Sequence, residues 1–164
     1  MSIDFDRYLV DNNALFQMPQ DVRTSTLLRE VARFPSEVIH EAGIYADRYD
    51  LTPLEYKTTP SVLEHLKEVM GRVPADDFEL IDLYAGEGCA DPLLIACALD
   101  GAQRLSESLI GEVYTVVTAD IPVREACERH QVAWLSAADL AEQLSHAAGR
   151  TQVPSDTDSA RQEI

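Results

Sequence analysis

Hydrophobic positions along the chain form short continuous runs in some segments and follow the helical period in others. The apolar run that ends at Asp11 predicts a first strand over about residues 7–11. A run rich in β-branched residues, 113–118, predicts a strand buried on both faces, as in a parallel sheet. Residues 132–135 predict a further short strand, and 76–84 a loop followed by a weak one.

Between these runs, apolar residues recur at helical spacing, bounded by capping residues and prolines. The predicted helices cover about residues 15–34 with an interruption at Pro19, and residues 35–45, 60–71, 92–99, 122–130 and 137–147. Strands that alternate with helices predict an α/β sandwich, in which helices flank a mostly parallel central sheet. In such sheets, binding residues gather beyond the carboxyl ends of the strands.

Length and composition predict one folded domain. The chain has 164 residues, of which 46% are hydrophobic and 26% charged. We expect a single domain over residues 1–148 and a disordered tail over 149–164, where large apolar side chains are scarce. The sequence contains no apolar run long enough to span a membrane, and its first residues do not form the apolar core of a signal peptide. A cytoplasmic location is therefore expected.

The charge balance narrows the classes of partner. Thirteen Lys and Arg face 29 Asp and Glu, so the formal net charge is −16. This excludes a protein that coats nucleic acid through a generally basic surface. Local placement of arginines, such as Arg23 and Arg124, could still provide a basic rim for phosphates, and the bulk negative charge suits a small basic protein partner.

Four carboxylates stand where a parallel sheet would bring them together. Asp11 and Asp120 each follow an apolar strand, Asp91 begins the most apolar helix, and Glu41 lies one turn into another helix. Such carboxylates repel one another unless a cation lies among them, and carboxylate oxygens alone suit Mg²⁺ or Mn²⁺. The alternative is that each acid only caps a helix, forms a turn or faces solvent.

Four segments, taken in order, resemble the motifs of PIN-domain nucleases. They are 9–15 (LVDNNAL), 35–41 (PSEVIHE), 88–96 (GCADPLLIA) and 116–120 (VVTAD). In the second segment Glu37 competes with Glu41 for the acidic position, and Glu41 is preferred because it follows the apolar pair. In the third, Pro92 stands where many family members have alanine.

The resemblance implies a PIN-like three-layer sandwich and a Mg²⁺- or Mn²⁺-dependent endoribonuclease. It assigns the metal to Asp11, Glu41, Asp91 and Asp120, and gives Asn13 and Thr118 the role of orienting those ligands or a bound water. Compact members of the family are VapC-type toxins, which cleave RNA, are commonly dimers and are silenced by a small antitoxin protein. The alternative function is a PIN-like scaffold without nuclease activity, which binds a basic protein partner.

Overall fold

The fold is built on a parallel sheet with helices on its faces. A computed structural model describes residues 3–42, 50–74, 76 and 90–150. Within these residues there are five strands, in the order β3-β2-β1-β4-β5, and every neighbouring pair is parallel. The strands are β1 (Ile3–Val10), β2 (Ala32–Pro35), β3 (Glu55–Tyr56), β4 (Ile110–Val117) and β5 (Trp134–Leu135). This is the α/β sandwich that the sequence predicts.

Eight α-helices connect and cover the strands within the described part of the chain. They are α1 (Asn12–Gln17), α2 (Gln20–Arg23), α3 (Thr26–Val31), α4 (Ser36–Ala42), α5 (Pro60–Gly71), α6 (Ala90–Ser106), α7 (Ile121–Arg129) and α8 (Ala137–Arg150). One layer contains α6, which packs on β4, β1 and β2 and is itself covered by α5. On the other side, α3 contacts β1 and β2, and α8 lies against α1, α2 and α3.

The centre of the sheet is the pair β1 and β4. Their register runs from Ile3 opposite Ile110 to Val10 opposite Val117, so the two strands end side by side. The last two residues of each strand are fully buried, as are Leu94 and Ile95 of α6. Continuous apolar strand ends of this kind are typical of a parallel sheet covered on both faces.

Several predicted helix starts are confirmed by their caps. The side chain of Thr59 accepts a hydrogen bond from the Val62 backbone N–H at the start of α5. Ser136 and Asp139 form the reciprocal capping pair before α8, since the Asp139 N–H donates to the Ser136 hydroxyl, which donates to the Asp139 carboxylate. These polar groups satisfy backbone donors that have no partner within the helix.

The break predicted at Pro19 is confirmed, whereas the helix predicted from there to residue 34 is wrong. The structure has two short helices there, followed by β2, in which Ala32, Phe34 and Pro35 are buried. Pairing with β1 and β3 stabilises β2 although it has only four residues, and Phe34 is biased towards an extended conformation because it precedes a proline. The prediction also missed β3. The weak strand predicted within 76–84 falls largely outside the described residues.

The last helix extends beyond the predicted end of the domain. We predicted the domain boundary at residue 148, whereas α8 continues to Arg150. Residues 151–164 of the predicted tail lie outside the described residues. None of the helices within the described ranges is long and apolar enough to cross a membrane.

Candidate functional site

The candidate site lies where the strand order reverses. From β1 the chain moves outward to β2 and β3, and it then returns to place β4 on the other side of β1. The carboxyl ends of β1 and β4 therefore border a topological switch point, the usual position of binding sites in open α/β sheets. Asp11 follows the last residue of β1, and Thr118 and Asp120 follow β4.

Asp11 is the most deeply buried carboxylate at this edge. Its side chain is 3% exposed, and its backbone N–H donates to the Val117 carbonyl at 3.0 Å, which ties it to the end of β4. Burial raises the pKa of Asp11 to about 6, and the nearby charges of Asp120 and Glu41 add to this increase. Hydrogen bonds from Thr118 and from the Asn12 backbone act in the opposite direction.

Thr118 connects the two strand-end aspartates. Its buried hydroxyl donates to Oδ2 of Asp11 at 3.1 Å and accepts the Asp120 backbone N–H at 3.1 Å. The Thr118 oxygen accepts the Asp120 N–H, and the hydroxyl proton of Thr118 is donated to Asp11. This arrangement fixes the Asp11 carboxylate and favours its ionised form.

Asn13 supports the second aspartate from α1. Its side-chain amide donates to Oδ2 of Asp120 at 3.3 Å, across a sequence separation of 107 residues. Asn13 and Thr118 thus contact the aspartates that the resemblance assigns to the metal. Four of the six predicted site residues therefore form one connected set: Asp11, Asn13, Thr118 and Asp120.

Helix capping does not account for Asp11 and Asp120. They occupy the N-cap positions of α1 and α7, yet neither side chain makes a capping hydrogen bond. By contrast, the Ser25 side chain does cap its helix, accepting from the Leu28 N–H at 3.1 Å. The two aspartate side chains are instead engaged with Thr118 and Asn13.

The structure distinguishes between the two glutamates of α4. Glu41 is half-buried, and its charge raises the pKa of Asp11. Glu37 lies in the first turn of the same helix and is exposed. The electrostatic contact with Asp11 therefore favours Glu41 as the acid that belongs to the site.

Asp91 is the predicted ligand whose placement stays open. Its backbone belongs to the first turn of α6, but its side chain and the residues 77–89 that lead to the helix lie outside the described residues. The predicted role of Asp91 therefore stays a prediction.

The donor set fits a hard divalent cation. Among the described side chains, no three His, Cys, Asp or Glu residues are arranged to share one metal ion. Mg²⁺, however, needs only one or two protein carboxylates because it keeps several of its waters. Asp11 and Asp120 supply two carboxylates, and their mutual repulsion would be relieved by a cation. The side-chain oxygen of Asn12, buried beside Asp11, accepts no hydrogen bond from the described residues.

Sequence reasoning did not identify two cation–aromatic pairs on the helices that carry the site. Arg23 lies over the ring of Phe16 at 5.7 Å, and Arg124 lies over the ring of Trp134 at 4.8 Å. The Arg124 guanidinium also approaches the Thr118 carbonyl, at 3.5 Å. The pairs were missed because each joins residues from different elements, although both arginines had been singled out for a basic rim.

Comparison with known proteins adds no family assignment. No protein-family model matches the chain, and no curated protein is significantly similar to it in sequence.

Proposed function

We propose that this protein is a Mg²⁺- or Mn²⁺-dependent endoribonuclease, which hydrolyses RNA phosphodiester bonds at the carboxyl ends of β1 and β4. The observation that carries the proposal is the connected set of Asp11, Thr118, Asp120 and Asn13 at the switch point of the sheet. The order and spacing of the four PIN-like motifs add support from the sequence.

The side chains have separate tasks in this proposal. Asp11 and Asp120 would hold the cation, with Glu41 and Asp91 contributing from their helices. When bound, the cation would make a water nucleophilic and offset charge on the phosphate. Thr118 fixes the orientation of the Asp11 carboxylate, and Asn13 that of Asp120. Holding the ligands in place before substrate arrives lowers the cost of organising the site during reaction.

The biological setting extends the same proposal. The resemblance to VapC-type toxins suggests a cytoplasmic toxin, a homodimer, and control by a small antitoxin. A net charge of −16 suits a basic antitoxin, because opposite charges accelerate encounter and favour the correct partner.

The first experiment is cleavage of a mixed RNA pool by the purified protein in Mn²⁺. We expect cleavage that EDTA abolishes and that Asp120→Asn reduces about a hundredfold or more, since the variant loses one carboxylate of the cation site. The matched control is Glu107→Gln, which removes one negative charge from an exposed side chain between α6 and β4, at the amino end of that strand. It should cleave like the unmodified protein.

Equal cleavage by the Asp120→Asn variant and the unmodified protein would contradict the site assignment. Thermal melting with increasing Mn²⁺ then separates the enzyme from the alternative, a scaffold that binds a basic partner. A bound cation stabilises the folded state by mass action, about 2.7 kcal/mol at a hundred times its Kd. A saturable rise in Tm that Asp120→Asn abolishes supports the site, while no rise and no cleavage favour the scaffold, whose main support is the net charge.

A further inference from the structure

We infer that Phe16, with Arg23 over its ring, stacks an unpaired RNA base beside the reacting phosphate, so that the substrate is single-stranded at this point. This inference rests on the proposed ribonuclease function. It assigns a substrate-binding role to a side chain that none of the acidic motifs contains.

The position of Phe16 follows from α1. Asn13, which hydrogen-bonds Asp120, and Phe16 are three residues apart in this helix, so they occupy neighbouring positions on one face. Both are exposed, whereas Ala14 and Leu15 on the opposite face are buried. The exposed face of α1 therefore leads from the acidic set to the aromatic ring over a rise of roughly 4.5 Å.

Within the described ranges, Phe16 is one of two exposed apolar side chains close in sequence to the site residues. Its side chain is 37% exposed, although it belongs to a six-residue helix that buries its other large apolar side chain, Leu15. Ile121, directly after Asp120, is 65% exposed. Two apolar side chains therefore stand at the margin of an acidic, polar site, where a substrate could cover them.

The chemistry of this pair suits a nucleobase. Aromatic rings and arginine guanidinium planes are the surfaces on which proteins stack unpaired bases, and stacking tolerates any base because each has a π-face. Arg23 lies 5.7 Å from the centre of the ring, so a base stacked on Phe16 would have a cation nearby, which suits the negatively charged backbone that carries the base. Bases within a paired A-form helix are not available for such stacking, which indicates a single-stranded loop or end.

The test compares substitutions of Phe16 in steady-state cleavage of a single-stranded RNA in Mn²⁺. We expect Phe16→Leu, which keeps an apolar side chain but removes the π-face, to raise KM about tenfold with a smaller effect on kcat. Phe16→Trp should keep KM near the original value. The matched control is Phe5→Ala on β1, because Phe5 is 49% exposed at the opposite end of that strand. It should leave both parameters unchanged.

Binding in EDTA separates this inference from the proposed function. Fluorescence anisotropy of the labelled RNA measures affinity without cleavage, and urea unfolding verifies that each variant is folded. If RNA is cleaved but Phe16→Leu behaves like the original protein in KM and in anisotropy, the stacking role is overturned and the nuclease stands. Equal cleavage of the same RNA when annealed to its complement also overturns it. If RNA is neither bound nor cleaved under any condition, both proposals fail together.

Discussion

Among the residues that the structure describes, two aspartates are buried, and their surroundings differ. Asp100 on α6 is fully buried, and its Oδ2 accepts the Tyr56 hydroxyl at 2.6 Å and lies 2.8 Å from the Arg104 guanidinium. Asp11 is buried nearly as completely, but the charges that act on its pKa are those of Asp120 and Glu41, which are also negative. One buried carboxylate has a cation beside it, and the other has two further acids.

This difference agrees with the proposed roles, structural for Asp100 and cation-binding for Asp11. The charge of the buried Asp100 is compensated within the fold by the exposed guanidinium of Arg104, and removal of that guanidinium would leave the carboxylate uncompensated. The hydrogen bonds that lower the pKa of Asp11 come from neutral groups, the Thr118 hydroxyl and the Asn12 backbone N–H. An external cation would compensate the negative charges around Asp11. Burial alone does not distinguish the two carboxylates, whereas the sign of the neighbouring charges does.

The same substitution at the two aspartates should have opposite effects on stability. At pH 7.5 in EDTA we expect Asp100→Asn to lower the free energy of unfolding by about 2 kcal/mol, because the variant loses the ion pair. Asp11→Asn should raise it by about 1 kcal/mol, because the amide keeps an acceptor for Thr118 and removes a buried charge. Urea unfolding monitored by circular dichroism measures both values.

Glu107→Gln again serves as the control, with an expected change within about 0.5 kcal/mol. A loss of stability in Asp11→Asn equal to that in Asp100→Asn would contradict the comparison. It would mean that Asp11 is compensated inside the fold and does not need a cation.

The second test of the comparison is how the free energy of unfolding of the metal-free protein depends on pH. The pKa of Asp11 rises from its ordinary value of 3.8 to about 6 in the folded state, so the folded protein binds this proton more tightly than the unfolded chain does. The contribution of Asp11 to the free energy of unfolding is therefore most favourable below about pH 4. It is lost as the pH rises to about 6, a change of about 3 kcal/mol.

Urea unfolding in EDTA at intervals from pH 4 to pH 7.5 measures this change as the difference between the original protein and Asp11→Asn. The subtraction removes the contributions of other groups that titrate over this range. A difference that does not vary with pH would show that Asp11 keeps its ordinary pKa, and the argument for an uncompensated site would fail.

Much of the Asp11 site was predictable because it depends on local features. An acid that follows an apolar strand lies at the carboxyl edge of the sheet, so Asp11 and Asp120 could be placed together once their strands were expected to be neighbours. The choice of Glu41 over Glu37 likewise agrees with the electrostatics of the structure. The metal itself and the part played by Asp91 stay predictions.

The surroundings of Asp100 were not predictable because they depend on a contact between residues far apart in the sequence. Tyr56 lies 44 residues from Asp100 and belongs to a strand of two residues, too short to give a periodic pattern. Strand β2 was missed for a similar reason, since its four residues are held extended by pairing with β1 and β3. Phe16 was missed because its exposure depends on how α1 packs in the fold, which the spacing of apolar residues does not show.

The smallest predicted effect concerns the two hydroxyls that donate hydrogen bonds to the buried aspartates. Thr118→Val and Tyr56→Phe each remove one hydrogen bond to a buried carboxylate, and each should lower the free energy of unfolding by about 1–2 kcal/mol near pH 7. Only Thr118→Val should also shift the fall in stability to a higher pH, because the bond that it removes lowers the pKa of Asp11. Thr115→Val, in β4 three residues before Thr118, is the matched control for the loss of a threonine hydroxyl. If Tyr56→Phe shifted the dependence of stability on pH as far as Thr118→Val does, the titration of Asp11 alone would not explain that dependence. The contrast between the two buried aspartates would then fail.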